Sequence, residues 1–273
     1  MQLIKNPRSP EDAEHPRFEE DPVCAEQRRE IGRRRGPDRQ IFERDFSGAV
    51  TYERYLARVE KAVLPLGFDR EHSFAAVSIC RDELAQPFMQ AVSRRWDHPF
   101  HLGGLGAVPS LGRTGWRAAL AHVPYDSRGR LIVFGLPHIG IDPDGGIGAT
   151  MRRHQHRVTA TCGALTALLE SLSQPVEPPL PGLDDHEADR LREVIASHVG
   201  EQLPADLLEL TSVAAAAVEA EMWTELDALE AHKDMDIVVL CGIQVHLPDD
   251  VDHVLPTSAM FCGVDGIRRP LRI

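Results

Sequence analysis

Short runs of apolar residues alternate with segments of helical periodicity along most of the chain. Apolar residues recur at helical spacing from Tyr52, and β-branched residues at 74–80 predict a buried strand that ends in Cys80. A helical segment follows at 83–96, and the clearest strand pattern covers 130–141. Because strands alternate with helices, the pattern predicts an α/β fold with a mostly parallel central sheet flanked by helices.

The second half of the chain continues this alternation with longer helical segments. A helix is predicted at 162–172, and a proline-rich linker at 175–182 separates it from acidic helical segments at 184–199 and 205–231. A last strand, at 235–247, precedes a polar tail. The 205–231 segment is rich in alanine, and its sequence is compatible with packing either within the chain or across an interface.

Residues 1–48 differ from the rest because they are polar, contain proline and are dense in both charges. One interpretation of the basic patch at 27–36 is an arm that binds nucleic acid. Acidic residues surround it, however, which favours a solvated and partly helical lead-in. The expected organisation is an N-terminal extension, 1–48, followed by a single α/β domain, 49–273.

Charge and composition narrow the functional classes. The chain has 273 residues and a net charge of -12, which argues against general nucleic-acid binding. The sequence shows neither an apolar run long enough to cross a membrane nor the apolar core of a signal peptide, so a cytoplasmic location without membrane partners is expected. Five cysteines, an odd and widely spread set, favour metal ligands or core residues over a disulfide framework: Cys24, Cys80, Cys162, Cys241 and Cys262.

A glycine-rich segment at 103–115 raises the question of phosphate binding. Gly106 and Gly112 enclose five residues where the nucleotide-binding pattern needs four, and Arg113 replaces its lysine. The segment is therefore predicted to be a tight active-site loop.

Three residues with metal-ligand chemistry are predicted to meet at one edge of the sheet. Cys80 and His138 lie at carboxyl ends of predicted strands, where sites form in parallel sheets. Cys162 begins a helix, whose positive dipole end favours a thiolate. Two thiolates and one imidazole suit zinc and leave its fourth position for water. Taken singly, each is equally an ordinary buried cysteine or loop histidine, and the spacing matches no zinc finger.

Four stretches, in order, resemble a known protein family. They are ICRDEL at 79–84, GRTGWRAALAHVP at 112–124, GLPHIGIDPDGGIG at 135–148 and ATCGAL at 160–165. Together they are similar to the limiting-CO2-inducible B (LCIB) family, which is β-carbonic-anhydrase-like and also called the theta class. The segment 236–250 fits that family more loosely.

The resemblance implies a function and a set of site residues. It implies a β-carbonic-anhydrase-like fold in which Cys80, His138 and Cys162 hold zinc. The single α/β domain at 49–273 is then expected to be the zinc-binding domain. It implies reversible hydration of CO2 to bicarbonate, with Asp82 orienting the zinc-bound water whose pKa the metal lowers. It also implies a homodimer.

One departure from the β-class pattern leaves the role of Asp82 open. That pattern places an arginine four residues after the first cysteine, where this chain has Leu84. The partner of Asp82 must come from elsewhere, and four arginines remain open: Arg81, Arg113, Arg152 and Arg153. If Asp82 instead took the fourth metal position, the protein would be a non-catalytic zinc-binding regulatory or structural protein. Another zinc lyase or hydrolase, acting on a larger substrate beside the basic 152–157 loop, is a further alternative.

Two auxiliary roles have candidates in the same segments. His122, His154 and His156 are candidate proton relays, since imidazole titrates near neutrality, although an ordinary surface or loop histidine is the commoner explanation for each. An apolar CO2 pocket has four candidate residues for which core packing is an equal explanation: Val108, Leu111, Trp116 and Ile139.

Overall fold

The computed structural model describes residues 36–124, 128–152, 157–172, 185–200, 202–249 and 251–273. Its helices are α1 Pro37–Asp45, α2 Tyr52–Val63, α3 Gln86–Trp96, α4 Gly112–Leu120, α5 Gly163–Leu172, α6 His186–Ala196 and α7 Leu207–Ala228. Its strands are β1 Val50–Thr51, β2 Phe74–Ile79, β3 Phe100–His101, β4 Gly129–Leu136, β5 His138–Gly140, β6 Ala149–Met151, β7 Val158–Ala160, β8 Met235–His246, β9 His253–Cys262 and β10 Arg268–Pro270.

The central sheet has the strand order β1-β9-β8-β4-β2-β3. Strands β3, β2, β4 and β8 are parallel neighbours, and β5 also pairs with β8 in parallel. Strand β9 runs antiparallel to β8, and β1 and β10 each pair antiparallel with β9. The predicted fold class, a mostly parallel sheet flanked by helices, is confirmed.

Helices cover both faces of the sheet, which explains the nearly continuous apolar runs of its central strands. The ring of Phe134 in β4 lies against Phe88 and Trp96 of α3, with ring centroids 5.6 and 5.7 Å apart. The next residue, Gly135, faces α7, where an added Cβ would lie 2.5 Å from Met222 Cε. Successive residues of β4 therefore contribute to two different helix–sheet layers.

Helix α7 packs within the chain, which is one of the two alternatives that its sequence left open. It lies against β4 and β8 on one side and against α5 and α6 on the other. Because it is covered on two sides, its buried positions surround the helix instead of forming one stripe. Asp206 caps its first turn by accepting a hydrogen bond from Glu209 N at 2.9 Å.

Three sequence predictions need correction. The strand predicted at 235–247 is not the last one, because the polar tail after it contains the ten-residue strand β9. The basic segment 148–161, whose sequence pattern predicts no regular element, contains the paired strands β6 and β7. The predicted strand 130–141 is divided at Pro137 into β4 and β5, since proline has no N–H to donate to the ladder.

The amino-terminal part of the description begins shortly before α1. Phe46, directly after this helix, is fully buried against a small cluster that includes Ile139 and Val245. Residues 1–35, with most of the basic patch, lie outside the described residues, and the division at residue 48 stays a prediction. Among the helices of the described ranges, none combines the length and apolar character that crossing a bilayer requires.

Candidate metal centre

The three predicted ligand residues meet at the carboxyl edge of the parallel strands. Cys80 directly follows β2, His138 begins β5 and Cys162 directly precedes α5. The two Sγ atoms are 3.9 Å apart, and one donor atom from each residue lies within 4.8 Å of the others. All three residues are buried, so a cation held there would be shielded from bulk water.

Two glycines allow the backbone segments around this cluster to approach closely. A Cβ added at Gly140 would lie 2.1 Å from Thr161 Oγ1, which brings the segment before Cys162 onto β5. A Cβ added at Gly103 would lie 2.2 Å from Ile79 O, at the end of the strand that carries Cys80. The predicted tight loop at 103–115 therefore packs on the end of β2. Its last four residues, 112–115, are not loop but the first turn of α4.

The two sulfurs lie close enough for one thiol proton to bridge them. A hydrogen bond from Cys162 lowers the pKa of the Cys80 thiol, against the effect of burial, and the backbone N–H of Asp82 acts in the same direction. The same hydrogen bond, together with burial, raises the pKa of Cys162. A divalent cation would replace the shared proton, because thiolates are the metal-binding form.

Asp82 is held beside the cluster by Arg152. The guanidinium donates to both carboxylate oxygens, from Nη1 to Oδ1 at 3.0 Å and from Nη2 to Oδ2 at 2.9 Å. Arg152 is itself anchored, because it also donates to Thr159 Oγ1, Ala160 O and Thr161 O at 3.1, 3.1 and 3.3 Å. This bidentate pair fixes both the position and the orientation of the carboxylate.

The pair also sets the charge of Asp82. Burial acts to raise the pKa of this carboxyl, but the hydrogen bonds from Arg152 and from the backbone N–H of Leu84 outweigh it, and the pKa is lowered. The Leu84 contact, 3.0 Å long, makes Asp82 the cap of the short helical turn that leads into α3. Asp82 is therefore ionised at neutral pH, and its carboxylate is fixed by the hydrogen bonds from Arg152 and Leu84.

Of the four candidate partners for Asp82, Arg152 is the one in contact with it. Arg81 pairs with Glu187 of α6 at 2.6 Å instead. Arg113 is exposed on α4, and Arg153 lies outside the described residues. The β6–β7 pairing brings Arg152 to Asp82, and no local spacing in the sequence signals that contact.

The remaining predicted auxiliary residues are placed as follows. His122 stacks on Phe74, the first residue of β2, with ring centroids 5.6 Å apart. This position lies at the end of β2 opposite to Cys80 and disfavours a relay role for His122. His154 and His156 lie outside the described residues. The four predicted pocket residues pack in the hydrophobic core: Val108, Leu111, Trp116 and Ile139. The CO2 pocket that they were predicted to form stays a prediction.

Sequence reasoning missed two residues behind the cluster. His138 Nδ1 lies 3.3 Å from His246 Nε2, and His246 Nδ1 lies 2.7 Å from Asp252 Oδ1. His246 is the last residue of β8, so its place at the carboxyl end of a strand was the available signal.

The donor set fits zinc. Two sulfurs and one imidazole are ligands that zinc prefers, in the number that leaves one position open. His138 Nε2 is buried and has no hydrogen-bond partner, as expected for an atom that faces a cation. Within the described ranges, this is the one group of three or more histidine, cysteine or acidic residues placed to hold a metal ion.

Comparisons with known proteins agree with this fold. A family model described as limiting CO2-inducible proteins B/C β-carbonic anhydrases matches residues 49–263. The crystal structure of LCIB is 25% identical, with a TM-score of 0.68 over 84% of this chain and 96% of its own. That of PtLCIB4, a homolog of LCIB, is 23% identical, with a TM-score of 0.74 over 86% and 99%. A comparison with curated proteins found no match. The chain therefore belongs to the family of limiting CO2-inducible B/C β-carbonic anhydrases.

Proposed function

We propose that this protein is a zinc-dependent carbonic anhydrase that interconverts CO2 and bicarbonate, with zinc held by Cys80, His138 and Cys162. The observation that carries the proposal is the Cys-His-Cys cluster with an anchored carboxylate beside it. Zinc, when bound there, would supply Lewis acidity that makes water a nucleophile near neutral pH.

Asp82 would orient the attacking water. An ionised carboxylate only accepts hydrogen bonds, so Asp82 would accept one from that water and direct the oxygen lone pair towards CO2. Arg152 uses both of its terminal nitrogens on the carboxylate, which keeps Asp82 in one rotamer and ionised. Orientation of this kind lowers the activation free energy because it is fixed before the reaction begins.

The Arg152 pair also speaks against Asp82 as a fourth metal ligand. Both carboxylate oxygens are already engaged, and Arg152 is anchored by three further hydrogen bonds. For Asp82 to close the metal site, this network would have to break. The non-catalytic alternative therefore lacks support from the contacts of Asp82.

A combined metal and rate measurement tests the proposal. Purified protein is analysed for zinc by mass spectrometry, and CO2 hydration is followed by stopped flow on the same sample. We expect about one zinc per chain and a clear rate enhancement. Three single changes of the ligands should each remove the zinc: Cys80→Ser, His138→Ala and Cys162→Ser. Asp82→Asn should keep the zinc and lose the enhancement of CO2 hydration.

Cys262→Ser is the matched control. Cys262 is also buried, but it lies at the far end of β9, where it pairs with Ile237 near the start of β8. The control should keep both zinc and activity. Zinc retained in all three ligand variants would refute the site, and bound zinc without any rate enhancement in the unaltered protein would favour the non-catalytic protein.

We also propose, on the family resemblance, that residues 49–273 form the zinc-binding unit and that the protein is a homodimer. A cytoplasmic location is proposed from its composition. Light scattering coupled to size exclusion tests the dimer, and a particle of about 30.3 kDa would contradict it.

A further inference from the structure

A buried row of polar side chains extends away from the metal centre behind His138. His138 is fully buried and His246 is 2% exposed, whereas the side chain of Asp252 is 20% exposed. The two contacts, 3.3 Å from His138 Nδ1 to His246 Nε2 and 2.7 Å from His246 Nδ1 to Asp252 Oδ1, link all three in series. The row therefore connects the deepest ligand to a carboxylate near the surface.

The chemistry of the groups fixes the direction of each hydrogen bond. A carboxylate oxygen accepts hydrogen bonds, so the 2.7 Å contact places the N–H of His246 on Nδ1, where it donates to Asp252 Oδ1. In that tautomer the lone pair of His246 is on Nε2, which accepts from His138 Nδ1–H across the 3.3 Å contact. His138 is left with a lone pair on Nε2, the buried atom that has no hydrogen-bond partner.

The backbone holds this row in register. Gly140 of β5 pairs with His246 of β8, and Ile141 N donates to His246 O at 3.0 Å. Tyr52 N donates to Asp252 O at 3.3 Å. His246 and Asp252 are therefore each fixed by main-chain contacts that do not depend on a metal.

We propose that His246 and Asp252 are positioning residues that hold His138 in the tautomer and orientation required for metal binding through Nε2. The inference rests on the proposed function, since it requires a metal at the Cys-His-Cys cluster. Partners of this kind raise the basicity of a ligating imidazole and prevent the ring from turning. The opposite tautomer of His138 would present N–H to the cation and would not bind it.

Zinc affinity and histidine tautomer test the inference without any activity measurement. The zinc dissociation constant is measured by competition with a chromophoric chelator. His246→Phe removes the acceptor for His138 and should raise that constant about 10- to 100-fold. His246→Gln supplies an amide oxygen at nearly the same reach and should restore most of the affinity, a difference that a purely structural role would not produce.

His253→Phe is the matched control. His253 follows Asp252 in the chain, is also buried and packs against Phe42, but it has no contact with the three ligand residues. It should leave zinc affinity unchanged. Nitrogen-15 NMR of histidine in the zinc-free protein should show His138 protonated on Nδ1, and Asp252→Asn, which can donate instead of accept, should increase the other tautomer.

The outcomes separate this inference from the proposed function. If the unaltered protein binds no zinc, the proposed function fails. If it binds zinc, but His246→Phe is folded and binds within about twofold of the unaltered protein, this inference alone is overturned. If His246→Phe does not fold, the tautomer decides: His138 protonated on Nε2 in the unaltered, zinc-free protein refutes the inference, and protonation on Nδ1 supports it.

Discussion

Replacement of Arg152 by methionine should separate the contribution of the Asp82 pair from that of the metal. The change removes two charge-assisted hydrogen bonds of 3.0 and 2.9 Å and leaves the Asp82 carboxylate, 15% exposed, without its cation. Loss of one partner of a buried ion pair costs about 3–5 kcal/mol. Because both side chains keep some contact with water, we expect a loss of about 2–3 kcal/mol in the free energy of unfolding.

Glu83→Gln is the internal control for this change. Glu83 pairs with the same guanidinium, but its side chain is 70% exposed. Exposed ion pairs contribute about 0–1 kcal/mol, so the control should change stability little. Both variants are compared by urea unfolding in the presence of a zinc chelator. Equal costs for the two changes would refute the assignment of Asp82 as the buried partner.

The pH dependence gives a second signature with a defined sign. The folded pKa of Asp82 is lowered, so the pair stabilises the protein fully above the unfolded carboxyl pKa of about 3.9. That stability is lost as the pH falls through the lower, folded pKa. In Arg152→Met, burial acts on the Asp82 carboxyl without the guanidinium, so that carboxyl takes up a proton at a higher pH than in the unaltered protein. The stability difference between the two proteins should therefore be constant at and above neutral pH and should narrow steadily in acid. A difference that persists unchanged in acid would contradict the reasoning.

Two further changes test the packing around the site. Gly103→Ala places a Cβ 2.2 Å from Ile79 O. It should lower the free energy of unfolding, measured in urea, by about 1–3 kcal/mol and weaken zinc binding through the neighbouring Cys80. Unaltered stability and zinc affinity would contradict the close approach. Tyr52→Phe removes the hydroxyl that donates to Gln244 Oε1 at 2.7 Å. Because that buried oxygen loses its donor, the free energy of unfolding should fall by about 1–3 kcal/mol. An unchanged unfolding midpoint would contradict this expectation.

The three cluster residues could be predicted because each is fixed by local pattern. The apolar run before Cys80 and that before His138 each predict a strand, and parallel strands place their carboxyl ends at one edge. The helical periodicity after Cys162 places that residue at a helix start. Fold class and cluster therefore follow from information carried within short segments.

Arg152 and His246 could not be assigned in the same way. The contact between Arg152 and Asp82 joins residues 70 positions apart and depends on the pairing of β6 with β7. The place of His246 behind His138 depends on which strand neighbours β5. Such contacts are set by tertiary pairing, which leaves no local periodicity.

Strand β9 was missed for a related reason. Most of its middle residues are only partly buried, and Pro256 interrupts its sequence. It neither alternates cleanly nor forms a continuous apolar run, which are the two patterns that predict strands. Its antiparallel pairing with the long strand β8 defines it instead.

The clamp on the carboxylate and one of the sulfurs belong to the same short stretch of chain. Arg152 follows β6, Cys162 follows β7, and these two strands pair with each other. Any displacement of these two paired strands moves both groups at once. Sequence changes in either strand are therefore expected to alter metal retention and turnover in concert.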